Sequence, residues 1–160
     1  MPRRWTLGAR RCGKPAVPGV QCRLRRLVFR RGAWTMSEAV DAMLLKVLRA
    51  KIHRATITAA SVDYVGSLTI DRDLMDAVGL LEHECVLVAD LSNGQRFDTY
   101  VIEGPRGSGT ICVNGAAANL VAVGDLVIIM AFGYVEEAEA PRVKARIVVV
   151  DEANRVVARP

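Results

Sequence analysis

Cys85-Val86-Leu87-Val88-Ala89-Asp90-Leu91-Ser92-Asn93-Gly94-Gln95-Arg96-Phe97-Asp98-Thr99-Tyr100-Val101-Ile102-Glu103 is the stretch from which the fold can be read. Two runs rich in apolar residues, Cys85 to Leu91 and Arg96 to Glu103, flank Ser92-Asn93-Gly94-Gln95. Asn-Gly between such runs predicts a β-hairpin, because both residues tolerate the positive φ that a type I′ turn requires. On the N-terminal side, Met43 to Ile52, Thr56 to Ala60 and Leu68-Thr69-Ile70 are short, aliphatic and β-branched, and are predicted as strands. Asp71 to Gly79 is predicted as one helix: its Asp residues suit the positive N-terminal end, Leu74, Ala77 and Val78 form a face, and Gly79 is a C-terminal stop. On the C-terminal side, Gly104 to Gly109 reads as a loop, Ile111-Cys112-Val113 as a strand and the Ala-rich Asn114 to Leu120 as a second short helix. Val123-Gly124-Asp125 then turns into a strand over Leu126 to Val135. The acidic stretch Glu136 to Glu139 is a solvated loop, and Val143 to Val150 a last strand. Six or seven short strands with two short helices argue a mainly β protein, a small closed barrel.

The chain has 160 residues, enough for one domain with a proper core. Hydrophobic residues make up 51% and charged residues 24%, the balance of a globular protein. The net charge of +5 is unevenly placed. Residues 1–42 carry +8, with Arg clusters at Arg3-Arg4, Arg10-Arg11, Arg25-Arg26 and Arg30-Arg31, and the remainder carries −3. The first 42 residues also hold Trp5, Trp34, Cys12 and Cys22 and show no sustained helix or strand period. They are expected to be a basic N-terminal extension, disordered or the product of a mis-assigned start, with translation beginning at Met36 or Met43. The folded domain is expected over 43–160. Because that body is mildly acidic, a nucleic-acid partner is not expected. The longest apolar run, Leu126 to Gly133, is far short of the roughly 20 residues of a membrane span, so no membrane partner is expected either. Cys85 and Cys112 sit in apolar strands, where free cysteine is commonly inert. Without a Cys-x-x-Cys pair, and with two His in all, no metal site is expected.

The chemistry gathers in four blocks. These are Lys51-Ile52-His53-Arg54, Tyr64-Val65-Gly66-Ser67, Arg96-Phe97-Asp98-Thr99-Tyr100 and Asn114-Gly115-Ala116-Ala117-Ala118. Singly each is weak. A Gly-Ser bond is ordinary turn chemistry, a strand Lys or Arg is commonly an exposed charge, and a lone His is more often structural than catalytic. In this order and spacing, along residues 43–135, the blocks resemble the self-cleaving precursor of pyruvoyl-dependent aspartate 1-decarboxylase. Asp63 and Asn119 depart from the family pattern, which often has His at both positions.

The resemblance implies a double-psi β-barrel and an enzyme that converts L-aspartate to β-alanine and CO₂ for pantothenate synthesis in the cytoplasm. Loss of CO₂ leaves an electron pair at Cα, which needs a sink. Gly104-Pro105-Arg106-Gly107-Ser108-Gly109 lacks the Lys-Ser/Thr ending of a phosphate loop, so pyridoxal phosphate is not expected. The sink would instead come from Ser67. Its Oγ attacks the Gly66 carbonyl to give an ester, elimination gives dehydroalanine, and hydrolysis leaves a pyruvoyl ketone that condenses with the substrate amine as an imine. Gly66 would allow strained backbone angles at the break. By resemblance, Thr99 donates to the oxyanion during cleavage, and Tyr100 returns a proton to Cα. Tyr64 lines the pocket. Arg96 and Lys51 hold the substrate carboxylates, with His53 in support. Asn114 and the amides of Gly115, Ala116 and Ala117 bond the substrate or the cleavage ester. The family is a homotetramer with active sites shared between subunits, and an accessory processing factor is an open possibility. The rival readings are an unprocessed barrel serving as a binding or assembly module, and a DNA-binding barrel of swapped hairpins. Both would leave the chain in one piece.

Overall fold

Alternation of side chains across a pleated strand governs this structure, a computed structural model that describes residues 43–160. The basic extension expected over 1–42 lies outside the described residues. β1 (Leu44–Thr56) is followed by β2 (Ala59–Ser61), β3 (Ser67–Asp71) and helix α1 (Arg72–Val78). Then come β4 (Cys85–Asp90), β5 (Arg96–Gly104), β6 (Ile111–Asn114), a 3₁₀ helix over Gly115–Leu120 and β7 (Leu126–Glu136). A 3₁₀ turn at Ala140–Arg142 leads to β8 (Arg146–Val150) and β9 (Val156–Ala158).

The strand order is β2-β6-β3-β5-β4-β7-β1-β8-β9. β2 is the continuation of β1, so the run from β2 to β1 begins and ends on one piece of chain, and the sheet closes. The seam is hydrogen-bonded on both sides. Ile57 N donates to Asp125 O at 2.9 Å and its carbonyl accepts from Gly124 N at 2.8 Å, while Thr58 N donates to Ile111 O at 2.8 Å. With β1 and β2 counted as one stave, six staves form the barrel and β8 and β9 extend it from the free side of β1. Most ladders are antiparallel, but β3 with β5, β2 with β6 and β1 with β8 are parallel. The mainly β class expected from the sequence, a small closed barrel, stands.

Among the described residues the strands number nine rather than six or seven. The apolar run at Met43–Ile52 does not stop at His53. It passes through bulges between Leu48 and Ala50 and between His53 and Ala55, where Arg54 takes φ 64°. Such bulges sharpen the twist and let a 13-residue strand wrap the barrel. Gly94 takes the positive φ expected of the hairpin turn, but Asn93 does not, so the turn is not type I′. Instead the Asp90 carboxylate folds the loop, accepting from Ser92 N at 2.7 Å and from Asn93 Nδ2 at 3.2 Å. The second expected helix is a short 3₁₀ segment, Gly115–Leu120.

The inward residues are Ile52, Ile57, Leu68, Ile70, Val86, Val88, Val101, Ile111, Val113 and Ile129, each at most 1% exposed. Burying one such side chain contributes about 1.5–3 kcal/mol. α1 adds Leu74, Met75 and Val78 to this core and ends on Gly79 at φ 68°. Asp71 caps the start of α1 by accepting from Asp73 N. The same carboxylate accepts from Gly107 N and Gly109 N, tying the 104–109 loop to the helix.

Candidate active site

Residues paired across a ladder share a face, so the register fixes what lies on the outside of the barrel. Cys112 and Asn114 on β6 pair with Thr69 and Ser67 on β3. The β3–β5 register, in which Leu68 faces Val101, carries Ser67 level with Tyr100 and Gly66 level with Thr99 when continued back. Further round, Asp98, Leu87, Met130 and Lys51 form one outward row, and Arg96, Ala89, Ile128 and His53 the next.

Ser67 is 1% exposed although it faces outward, with Tyr64, Val65 and Tyr100 lining the same pocket. Its Oγ accepts a hydrogen bond from Asn114 Nδ2 at 3.0 Å. The other Nδ2 hydrogen goes to Thr69 Oγ1, also at 3.0 Å, and Cys112 Sγ donates to Asn114 Oδ1 at 3.3 Å. Asn114 stands at the N-cap of the 3₁₀ segment yet makes no capping bond, because its amide is engaged with these partners.

Gly66 is not strained: its φ lies outside the left-handed region, and a Cβ there would meet Asn114 O at an ordinary 3.6 Å. The glycine that the geometry requires is Gly115. At φ 70° it lies against the Tyr64–Gly66 segment so closely that a Cβ would fall 2.6 Å from Gly66 Cα and 2.9 Å from Gly66 N. The close approach of Gly115, and not strain at Gly66 itself, constrains the backbone at Gly66. Ala116 is exposed and Ala117 half-buried as the segment leads away.

A shallow pocket of about 300 Å³ opens over Ser67, lined by Tyr64, Val65, Ser67, His83, Tyr100 and Ile102. Tyr100 and Tyr64 are 39% and 55% exposed, each presenting its ring to solvent at the rim. The structure thus brings Gly66, Ser67, Tyr64, Tyr100, Asn114 and Gly115 together within one chain. Thr99 sits level with Gly66 on the inward face of β5, half-buried, and its hydroxyl makes no side-chain hydrogen bond among the described residues. Lys51, His53 and Arg96 share the outward face with Tyr100 but do not line the pocket. Arg96 lies four residues from Tyr100, about 13 Å along the strand. Its guanidinium donates to Gly94 O at 3.4 Å. Burial lowers the pKa of His53, and the charges of Lys51 and Arg54 lower it further. Its Nδ1 is buried without a hydrogen-bond partner. A wider hollow lined by Arg54, Thr56, Asp151 and Glu152 contains none of these residues, and its two carboxylates would repel an acidic substrate.

Three residues near Ser67 were not legible as site residues. His83 takes φ 66°, and its ring centroid lies 6.3 Å from that of Tyr100. The backbone holds it there: His83 N donates to Val101 O at 2.8 Å, and Arg49 donates from Nε to the Glu84 carboxylate at 3.0 Å. In sequence, His83 between Glu82 and Glu84 reads as a solvated loop. Thr69 and Cys112 each lie two residues from a residue of the site, Ser67 and Asn114. That spacing puts them on the same strand face, a signal visible only once the β3–β6 register is known.

The family model for aspartate decarboxylase matches residues 43–157, the whole of the barrel and most of the β8–β9 extension. The aspartate 1-decarboxylase of Caldicellulosiruptor saccharolyticus is 57% identical over 115 residues, covering 72% of this chain and 90% of the relative. That of Lactiplantibacillus plantarum is 55% identical over 117 residues, covering 73% and 90%. That of Corynebacterium efficiens is 56% identical over 116 residues, covering 72% and 85%. Similarity at this level along the full length of the barrel, with the four sequence blocks carried on its staves, makes this chain a member of the aspartate decarboxylase family.

Proposed function

We infer that this chain is a self-processing aspartate 1-decarboxylase, converting L-aspartate to β-alanine and CO₂ for pantothenate synthesis in the cytoplasm. The observation that supports it best is the setting of Ser67. Its Oγ is buried and fixed by Asn114, and Gly66 before it is pressed against Gly115. In this reading Ser67 Oγ bonds to the Gly66 carbonyl carbon, the Gly66–Ser67 C–N bond breaks, and an ester replaces the amide. Thr99, level with Gly66, stabilises the oxyanion of that step. Loss of the Ser67 Cα proton then breaks the Cβ–Oγ bond and frees Gly66 as a carboxylate. Hydrolysis with loss of ammonia leaves the pyruvoyl group at position 67. Once present, that group supplies the electron sink for decarboxylation. The sink comes from the chain itself, so the reading calls for neither a metal ion nor pyridoxal phosphate.

The surrounding residues then divide the remaining work. Tyr100, beside Ser67 in the pocket, donates the proton that replaces CO₂ at Cα. Asn114 and the neighbouring amides hold the polar end of the substrate. Lys51 and Arg96, with His53 behind them, hold carboxylates. None of these three lines the pocket of a single chain, and the outward face they share also carries half-buried Leu87, Ile128 and Met130. We therefore place them at a contact between copies in a homotetramer, where the face of one subunit completes the pocket of the next. Incubating the purified protein with L-aspartate and measuring β-alanine tests the reading. Formation of β-alanine is expected, and none from fully cleaved protein would overturn it.

A further inference from the structure

On the outside of the barrel, Ser67, Asn114, Thr69 and Cys112 form a two-by-two patch: two directly paired positions on adjacent antiparallel strands. Every polar atom of the Asn114 side chain is engaged within it. We propose that Cys112 and Thr69 are positioning residues for self-cleavage, the Cys112 thiol donating to Asn114 Oδ1 and the Thr69 hydroxyl accepting from Nδ2, so that an N–H of Asn114 is held against Ser67 Oγ. This rests on the reading of Ser67 as the self-cleaving residue.

The end of the amide that faces Ser67 decides where the serine proton is held. An amide that turned over would present its oxygen to Ser67, and the serine proton would then be held in a hydrogen bond to that oxygen. With Nδ2 facing Ser67, the proton is free to leave as Oγ bonds to the Gly66 carbonyl carbon. A hydrogen bond donated to an oxygen also favours its deprotonated form. Burial raises the pKa of the Cys112 thiol, so the sulfur keeps its proton and remains a donor at neutral pH. Thr69 occupies the second Nδ2 hydrogen at the same 3.0 Å as Ser67 occupies the first, leaving the amide no freedom to swing. The Cys112 of this account is therefore not the inert core cysteine expected from its apolar neighbours.

The test follows cleavage, not decarboxylation, by mass spectrometry of the full chain over time. Wild type is compared with Cys112→Ala, Cys112→Ser, Thr69→Val and Thr69→Ser. Cys112→Ala and Thr69→Val each lose one hydrogen-bonding group with little change of shape, and each should slow cleavage about fivefold, the size of one neutral hydrogen bond. Cys112→Ser and Thr69→Ser keep the group and should restore the rate. A purely structural role for Cys112 and Thr69 predicts no such rescue tied to the hydroxyl. If wild type cleaves and Cys112→Ala cleaves equally fast, or if Cys112→Ser is as slow as Cys112→Ala, the proposal is overturned while the reading of Ser67 survives. If wild type never breaks at Gly66–Ser67, the reading of Ser67 falls and takes the proposal with it.

Discussion

Replacing Gly115 with alanine would place a methyl carbon 2.6 Å from Gly66 Cα, 2.9 Å from Gly66 N and 3.1 Å from Tyr64 O. All three neighbours are backbone, so no flexible side chain can swing aside. Holding a non-glycine residue at φ 70° costs about 1–2 kcal/mol. Overpacking against backbone adds about 1–3 kcal/mol. The larger effect falls on the proposed cleavage, because one displaced atom, Gly66 Cα, is bonded to the carbonyl carbon that Ser67 Oγ would attack. A displacement near 1 Å at a reacting centre lowers the rate about 10²-fold. Gly124→Ala is the control: its φ is 94° with nothing within 4 Å, so it carries similar backbone strain without the contact. Cleavage is followed as the ratio of fragment to full-length band under denaturing conditions, and stability by urea unfolding. Gly115→Ala should cleave far more slowly than wild type, and Gly124→Ala at the wild-type rate with lower stability. Equal cleavage by Gly115→Ala and wild type would refute the claim that the Gly66–Gly115 approach sets the reacting geometry.

Arg96→Ala should cleave normally, because the acyl shift needs no substrate carboxylate, but its kcat/KM for aspartate should fall about 30-fold or more; unchanged turnover removes Arg96 from the site. Asn154→Ala should lower the free energy of unfolding by about 2–4 kcal/mol. Asn154 is 2% exposed, accepts from Thr56 N and donates to Thr56 O and Gly109 O, so its loss leaves one buried and two half-buried backbone groups without these partners. Urea unfolding checks this, and a loss within error of zero contradicts it. His53 should titrate below its ordinary 6.5 in an NMR pH series, since burial and then Lys51 and Arg54 disfavour its charged form. The fold therefore gains stability from neutral His53 above pH 6.5 and loses it as pH falls toward the lowered value; a midpoint above 6.5 contradicts the assignment.

The strands around Ser67 were legible because each is a short apolar run between turn residues. Asp71 and Gly79 likewise marked both ends of α1 as the structure has them. What alternation along one strand cannot supply is register between strands distant in sequence. Thr69 and Cys112 are 43 positions apart and meet only through the β3–β6 ladder, and Tyr100 reaches Ser67 only because β5 lies parallel beside β3. His53-Arg54 breaks the apolar run and so splits the 13-residue β1 in the sequence pattern, whereas the chain absorbs Arg54 as a bulge at positive φ. Of the site, Ser67 and its neighbours came from the resemblance carried by the four blocks. The requirement for glycine at 115 and the position of His83 are properties of the packed backbone, which no local pattern encodes.

Every role proposed around the pocket depends on Ser67 breaking the chain at its own amino side. Intact-mass measurement of the purified protein under denaturing conditions, alongside Ser67→Ala, tests it most directly. Wild type should separate into pieces ending at Gly66 and beginning at position 67, the latter lighter than its serine-started sequence because Ser67 has been converted to the pyruvoyl group. Ser67→Ala should remain in one piece. A wild-type preparation that makes β-alanine while retaining only the full-length mass and an unmodified Ser67 would contradict the account.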